Sequence, residues 1–185
     1  LVLWDIKTGK EKRRFAEVNA EPTNVVFSPT GDIVASSYPD GSIYLWNVII
    51  GEDLIREDIA AAMENKVDEI QRFYGHPSSV SSISFSSDGK SLLSSSKVLQ
   101  LWDIAIGEES FRLTGHDHGV GSLAISPDGQ IAVSASADVK VWDLQTKLET
   151  QHFTQYRHPV ILGPSGKVAL SDSTDNTLRL WNVQT

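Results

Sequence analysis

The sequence predicts an all-β chain built from repeated units of short strands joined by tight turns, with one helix inserted between two units. Three observations predict it. Four segments share one pattern: "FSPTGDIVASSYPDGSIYLWNV" from Phe27, "FSSDGKSLLSSSKVLQLWDI" from Phe85, "ISPDGQIAVSASADVKVWDL" from Ile125 and "LGPSGKVALSDSTDNTLRLWNV" from Leu162. The tryptophans fall at 4, 46, 102, 142 and 181, at intervals of 42, 56, 40 and 39 residues, so one period is interrupted by one insertion. Between turn signals such as "SPDG" and "YPDG", stretches such as "IYLWN", "VKVWD" and "LRLWN" alternate apolar and polar residues, the period of a half-buried strand.

Each unit reads in the same order. A glycine in a polar turn (Gly31, Gly89, Gly129, Gly166) is followed five residues later by a serine (Ser36, Ser94, Ser134, Ser171) and then by a tryptophan (Trp46, Trp102, Trp142, Trp181). From glycine to tryptophan the distance is 15 residues in the first and last units and 13 in the middle two. Removing two residues from a hairpin keeps every side chain on its face, whereas removing one inverts the strand. The shorter units are therefore predicted to keep the same strands with tighter turns.

The insertion reads differently. Trp46 and His76 are 30 residues apart, against 14 for Trp102 and His116. In the extra text, "GEDLIREDIAAAMENKVDEIQRF", Ile55, Ile59, Met63, Val67, Ile70 and Phe73 recur at intervals of three or four, with acidic residues on the remaining face. This predicts an amphipathic helix over residues 51–73, capped by Asp53 and favoured by Ala60, Ala61 and Ala62. Its apolar stripe either packs on its own sheet or docks in a partner's groove, which makes Ile55, Ile59 and Met63 candidate contacts.

At 185 residues, with 40% hydrophobic and 22% charged residues, the chain has the composition of one globular domain with a sizeable core. A net charge of -8 works against a nucleic-acid backbone or an anionic membrane surface and favours a protein or peptide partner. The absence of cysteine rules out a disulfide framework and fits an intracellular, cytoplasmic setting. No apolar run approaches the ~20 residues of a membrane-spanning helix. The opening "LVLWDIKTGKEKRR" has no secretory pattern and no initiator methionine, so the sequence is read as a fragment.

A period near 40, a Gly-His pair ahead of the unit and Trp-Asp at its end resemble the WD40-repeat family of β-propellers. The resemblance implies four-stranded antiparallel blades, each repeat supplying the outer strand of one blade and the three inner strands of the next. The chain then holds three complete blades, two strands before them and three after, 17 in all. It forms a single repeat region over residues 1–185, a partial propeller of about four repeats with open apolar ends available for association.

In that family a loop histidine, a serine on the second strand, an aspartate in the next hairpin and the tryptophan form a structural hydrogen-bond network. Carried over unit by unit, the resemblance assigns all four roles to His116, Ser134, Asp138 and Trp142. His76, Ser94 and Trp102 have Val98 where the aspartate is expected. Ser36, Asp40 and Trp46, and likewise Ser171, Asp175 and Trp181, have Val18 and Phe153 in the histidine's place.

Ser, His and Asp recur in a way that invites comparison with a hydrolase triad. The chain has no nucleophile elbow, and a set repeated in each unit is the mark of scaffolding rather than of one active site. His116 and His118 flank Asp117, but no further His or Cys sits at ligand spacing, so no metal and no cofactor is predicted. "KEKRR", Lys10 to Arg14, reads as the solvated face of an outer strand. The resemblance implies a non-catalytic protein-interaction scaffold, the alternative being a regulatory or targeting region of a larger enzyme or signalling protein. Loops entering blades and inner hairpins converge on one face, where Tyr38, His118, Tyr156 and Arg157 are the candidate contacts.

Overall fold

The structure is a computed structural model that describes residues 1–15, 18–48 and 69–183. Its strands are β1 (Val2–Trp4), β2 (Glu11–Arg14), β3 (Asn24–Phe27), β4 (Ile33–Ser37), β5 (Ile43–Asn47), β6 (Glu69–Phe73), β7 (Ser82–Phe85), β8 (Ser91–Ser95) and β9 (Leu99–Asp103). They continue with β10 (Glu108–Leu113), β11 (Ser122–Ile125), β12 (Ile131–Ala135), β13 (Val139–Asp143), β14 (Leu148–Phe153), β15 (Tyr156–Leu162), β16 (Val168–Ser173) and β17 (Leu178–Asn182).

Consecutive strands pair antiparallel into the sheets β3-β4-β5-β6, β7-β8-β9-β10 and β11-β12-β13-β14, preceded by the pair β1-β2 and followed by β15-β16-β17. The first strands β3, β7, β11 and β15 lie against one another in sequence, so the sheets fan out around them as blades of a partial propeller. Gly31, Gly89, Gly129 and Gly166 turn the chain from first to second strand with φ between 68° and 77°, a conformation side chains with a Cβ disfavour.

The register explains how hairpins of two lengths serve one fold. Ser36 pairs with Tyr44, Ser94 with Gln100, Ser134 with Lys140 and Ser171 with Arg179, while Val34, Leu92, Ala132 and Ala169 pair with the tryptophans. The two residues missing from the middle hairpins are thus removed from the turn alone. Each tryptophan keeps the same face.

Alternation splits every sheet into two faces, and the core forms between sheets. The aliphatic face of one sheet packs on the tryptophan face of the next: Ala35, Ile43 and Leu45 against Ile83, Leu92 and Trp102; Leu93 and Leu99 against Leu123, Ala132 and Trp142; Val133, Val139 and Val141 against Val160, Ala169 and Trp181. Leu1 and Leu3 of the first strand pair, with Phe15, meet Val34 and Trp46 in the same way.

The helix predicted over residues 51–73 is not borne out. None of the described residues is helical, and residues 51–68, with Ile55, Ile59 and Met63, lie outside them. Glu69–Phe73 is the outer strand β6, with Ile43 opposite Phe73 and Trp46 opposite Glu69. The three-residue spacing of Val67, Ile70 and Phe73 suits a helix, but the open edge of β5 and the buried place for Phe73 decide for a strand.

Candidate functional site

Ser134 and His116 lie in the one unit that carries all four network residues. The Trp142 indole N–H donates to Ser134 Oγ at 2.7 Å, the Ser134 hydroxyl meets His116 Nε2 at 2.7 Å, and His116 Nδ1 meets Asp138 Oδ1 at 2.7 Å. In a neutral imidazole these contacts have one consistent sense: Nδ1–H donates to the carboxylate and Nε2 accepts from serine. Burial pushes His116 below the usual histidine range, and the hydrogen bond to Asp138 opposes that shift. Asp138 also takes His152 Nε2 on Oδ2 at 2.7 Å.

The second sheet lacks the carboxylate. Trp102 donates to Ser94 at 2.7 Å and His76 Nε2 meets Ser94 at 2.6 Å, but with Val98 in the place of Asp138 the buried His76 Nδ1 has no partner. Burial, with a smaller contribution from the Arg112 charge, lowers the His76 pKa to about 4. Gly75 leads this histidine past the indole; a Cβ there would lie 2.9 Å from Trp102.

In the first sheet Trp46 donates to Ser36 at 2.7 Å, and the Ser36 hydroxyl donates to Tyr38 Oη at 3.2 Å. Tyr38 was expected as an exposed contact; it is 2% exposed instead. Val18 packs against the cluster that holds Tyr38, and the phenol takes the contact on the serine that an imidazole makes in the next two sheets. In the last sheet Trp181 donates to Ser171 at 3.0 Å, and Phe153 and Tyr156 cover the indole at ring distances of 4.8 and 5.3 Å. Asp40 and Asp175 bind Ser42 and Thr177 of their own hairpins rather than a histidine.

A second repeated set was missed in the sequence. A bulge in the outer strand sets a glutamate opposite the tryptophan in the opening strand pair and in the first three sheets: Glu11 and Trp4, Glu69 and Trp46, Glu109 and Trp102, Glu149 and Trp142. Three residues on, Arg14, Arg72 and Arg112 return to their glutamates at 2.7, 2.7 and 2.8 Å. Glu149 is followed by His152 and takes Lys140 instead, at 2.6 Å. The signal was a glutamate seven positions after Trp4, Trp102 and Trp142, and 23 after Trp46 across the insertion, with an arginine or histidine three further on. Read locally, "KEKRR" looked like a charge run.

His118 and Arg157 come together. With Gly119, Ser136, His158, Asp172, Asn176 and Leu178 they line a cleft of about 690 Å³ between the third and fourth sheets, at the end carrying the inner hairpins. Tyr156 lies outside it, against Trp181. Arg14, Arg72, Arg112 and Arg179 each hold a carboxylate within the chain, whereas Arg157, exposed, holds none among the described residues. His118, His158 and Asp172 are likewise without a hydrogen-bonding side-chain partner among the described residues. No group of three or more metal-ligating side chains occurs among the described residues.

A family model for the WD domain, G-beta repeat, matches residues 14–47, 68–103 and 107–143. The unit ending at Trp181, with Phe153 in the histidine's place, lies beyond these matches. No curated relative matches the chain. Among solved structures, the chain is similar to one in a crystal structure of a mitotic checkpoint complex, with 20% identity and a TM-score of 0.80 over 98% of this chain and 55% of that one. It thus spans about half the length of that solved chain, and a likeness at this identity speaks to the fold. The matched repeats cover more than half of the residues, and the chain belongs to the WD40 family of WD-domain, G-beta repeat proteins.

Proposed function

We propose that this chain is a non-catalytic protein-interaction scaffold and that a partner segment binds in the cleft between the third and fourth sheets. WD40 propellers commonly bind proteins, and this supports the general reading. The observation that carries the particular one is a division of labour among polar side chains. Ser134, His116 and Asp138 are consumed in holding an indole, whereas His118, Arg157, His158 and Asp172 face one cleft with no hydrogen-bonding side-chain partner among the described residues. An arginine free of carboxylates on a rigid rim is the side chain best suited to anchor a partner.

The Ser-His-Asp geometry does not argue for hydrolysis. Ser134 is fully buried with its oxygen on the Trp142 N–H, so a substrate carbonyl has no approach to it. A second reading, a regulatory or targeting region within a larger enzyme or signalling protein, is supported by the 55% of the solved chain that this one covers. In either reading residues 1–185 form one repeat region.

The test compares proteins retained by the wild type with those retained by Arg157→Ala and His118→Ala, using thermal unfolding to show that the fold is intact. Loss of a retained partner in both variants is the expected result. Retention of the same set by both would remove the cleft from the reading.

A further inference from the structure

We infer that a partner segment docks between the second and third sheets, at the end carrying the glycine turns, and that it places a proline ring there with a basic side chain beside it. The neighbouring layers set the rule. The turn after each first strand reads "SPTG" from Ser28, "SSDG" from Ser86, "SPDG" from Ser126 and "GPSG" from Gly163, so Ser87 stands where the other three turns have a proline. That proline lies on the turn glycine of the following sheet: a Cβ built on Gly89 would be 3.7 Å from Pro29 Cδ, and one on Gly166 would be 3.1 Å from Pro127 Cδ. A Cβ on Gly129, which shares its cleft with Ser87, would meet nothing within 4 Å among the described residues.

The missing ring leaves a cleft of about 430 Å³, within the range of ligand sites. The second and third sheets are both four-stranded and each has a sheet on either side. The floor of the cleft is apolar, formed by Leu101, Ile125 and Leu144. Leu45 and Val141, which hold the place of Leu101 in the neighbouring layers, are 0% and 1% exposed, whereas Leu101 is half-buried. The rim is acidic. Asp88 accepts from the Ser86 hydroxyl and the Lys90 N–H, and Asp128 from the Ser126 hydroxyl and the Gln130 N–H, all on Oδ1. The Oδ2 of each carboxylate accepts no hydrogen bond among the described residues. The Lys90 charge acts on Asp88, but no cation acts on Asp128 among the described residues.

The occupant follows from the floor and the rim together. A pyrrolidine ring is what the layers on either side hold against this glycine, and its fixed φ means that a partner's proline loses little freedom on docking. A cation next to that ring meets the open oxygens of Asp88 and Asp128, on a chain whose net charge of -8 favours its approach. The cleft lies at the opposite end of the sheets from the one lined by His118 and Arg157, shares no residue with it and does not rest on that reading.

The experiment records NMR spectra of the chain as the blocked peptide acetyl-Arg-Pro-Arg-amide is added, with acetyl-Arg-Ala-Arg-amide as control. The expected result is that the proline peptide moves the Gly129 amide and the methyl signals of Leu101, Ile125 and Leu144, and that the control does not. Ser87→Pro supplies the ring from the chain itself and is expected to abolish these shifts. The Ser87 N–H donates no backbone hydrogen bond among the described residues, so the turn loses none by the change. Asp128→Asn keeps Oδ1 as an acceptor and is expected to weaken binding several-fold. A wild type without shifts in the cleft, equal shifts from the control peptide, or unchanged binding by Ser87→Pro or Asp128→Asn would overturn the proposal. Signals at these residues that depend on protein concentration without peptide, and no longer do so in Ser87→Pro, would assign the cleft to a second copy and overturn it as well. Arg157→Ala is expected to leave the peptide shifts unchanged, which separates a failure here from a failure of the other cleft.

Discussion

Asp138 is held between two imidazoles, with His116 Nδ1 on one oxygen and His152 Nε2 on the other, both at 2.7 Å. The two are not equivalent. The His116 side chain is buried and depends on this carboxylate, whereas the His152 side chain is 41% exposed and has water as an alternative. Asp138→Ala is expected to cost ~1 to 3 kcal/mol, the penalty of a buried donor left unpaired. His152→Gln should cost less than ~1 kcal/mol, as surface pairs do. Urea unfolding of the two variants checks the order.

The second sheet offers the reverse change. His76 Nδ1 is buried and unpartnered because Val98 stands where Asp138 stands in the next sheet. Val98→Asp is expected to supply the acceptor, to raise the His76 pKa from about 4, and to stabilise the fold by ~1 kcal/mol. Titration of the imidazole by NMR alongside denaturation measures both. A pKa that does not rise would mean the carboxylate fails to reach the ring.

His76 also sets a pH window. Its pKa is lowered on folding from 6.5 to about 4, so the folded chain binds fewer protons than the unfolded chain between those values. Stability from this group is therefore fully present above pH 6.5 and falls as the pH drops toward 4, by at most about 3 kcal/mol. Asp138 is lowered as well: burial would raise it, but its hydrogen bonds from His116 and His152 hold it below 3.8. Its contribution is present above pH 3.8 and is lost as the pH falls past 3.8 and through the folded value. Unfolding free energies of the wild type and His76→Gln from pH 7 to 4 should converge as the pH falls.

Tyr38 is predicted to matter for stability and not for partners. Tyr38→Phe removes the acceptor of the Ser36 hydroxyl and should cost ~1 kcal/mol. Tyr38→Ala opens a cavity beside Tyr44 and should cost ~3 to 5 kcal/mol. Partner retention by Tyr38→Phe should equal that of the wild type, checked in the same assay as Arg157→Ala.

The repeat was legible because the fold uses it at every level: the tryptophan marks the third strand, the serine eight or ten residues earlier marks the second, and the glycine marks the turn before it. The strand order and the two hairpin lengths followed from those positions. Where the reading failed, a neighbour decided. Glu69–Phe73 is a strand because β5 has an edge to fill, which residues 51–73 alone do not reveal. Tyr38 is buried because it takes the serine contact and packs beside Val18, 20 residues earlier in the chain. His118 and Arg157 could be assigned to one end of the sheets from their place in the repeat. That they share a cleft depends on how the third and fourth sheets pack.

The most direct test of the cleft as the partner site is site-specific photo-crosslinking in the chain's native setting, with the crosslinker at position 118 or 157 and, as a control, at the exposed Lys167 beside the Gly166 turn. The scaffold reading predicts crosslinks to one partner segment from 118 and 157 and none to that segment from 167. Equal capture from all three positions, or none from the cleft, would contradict it.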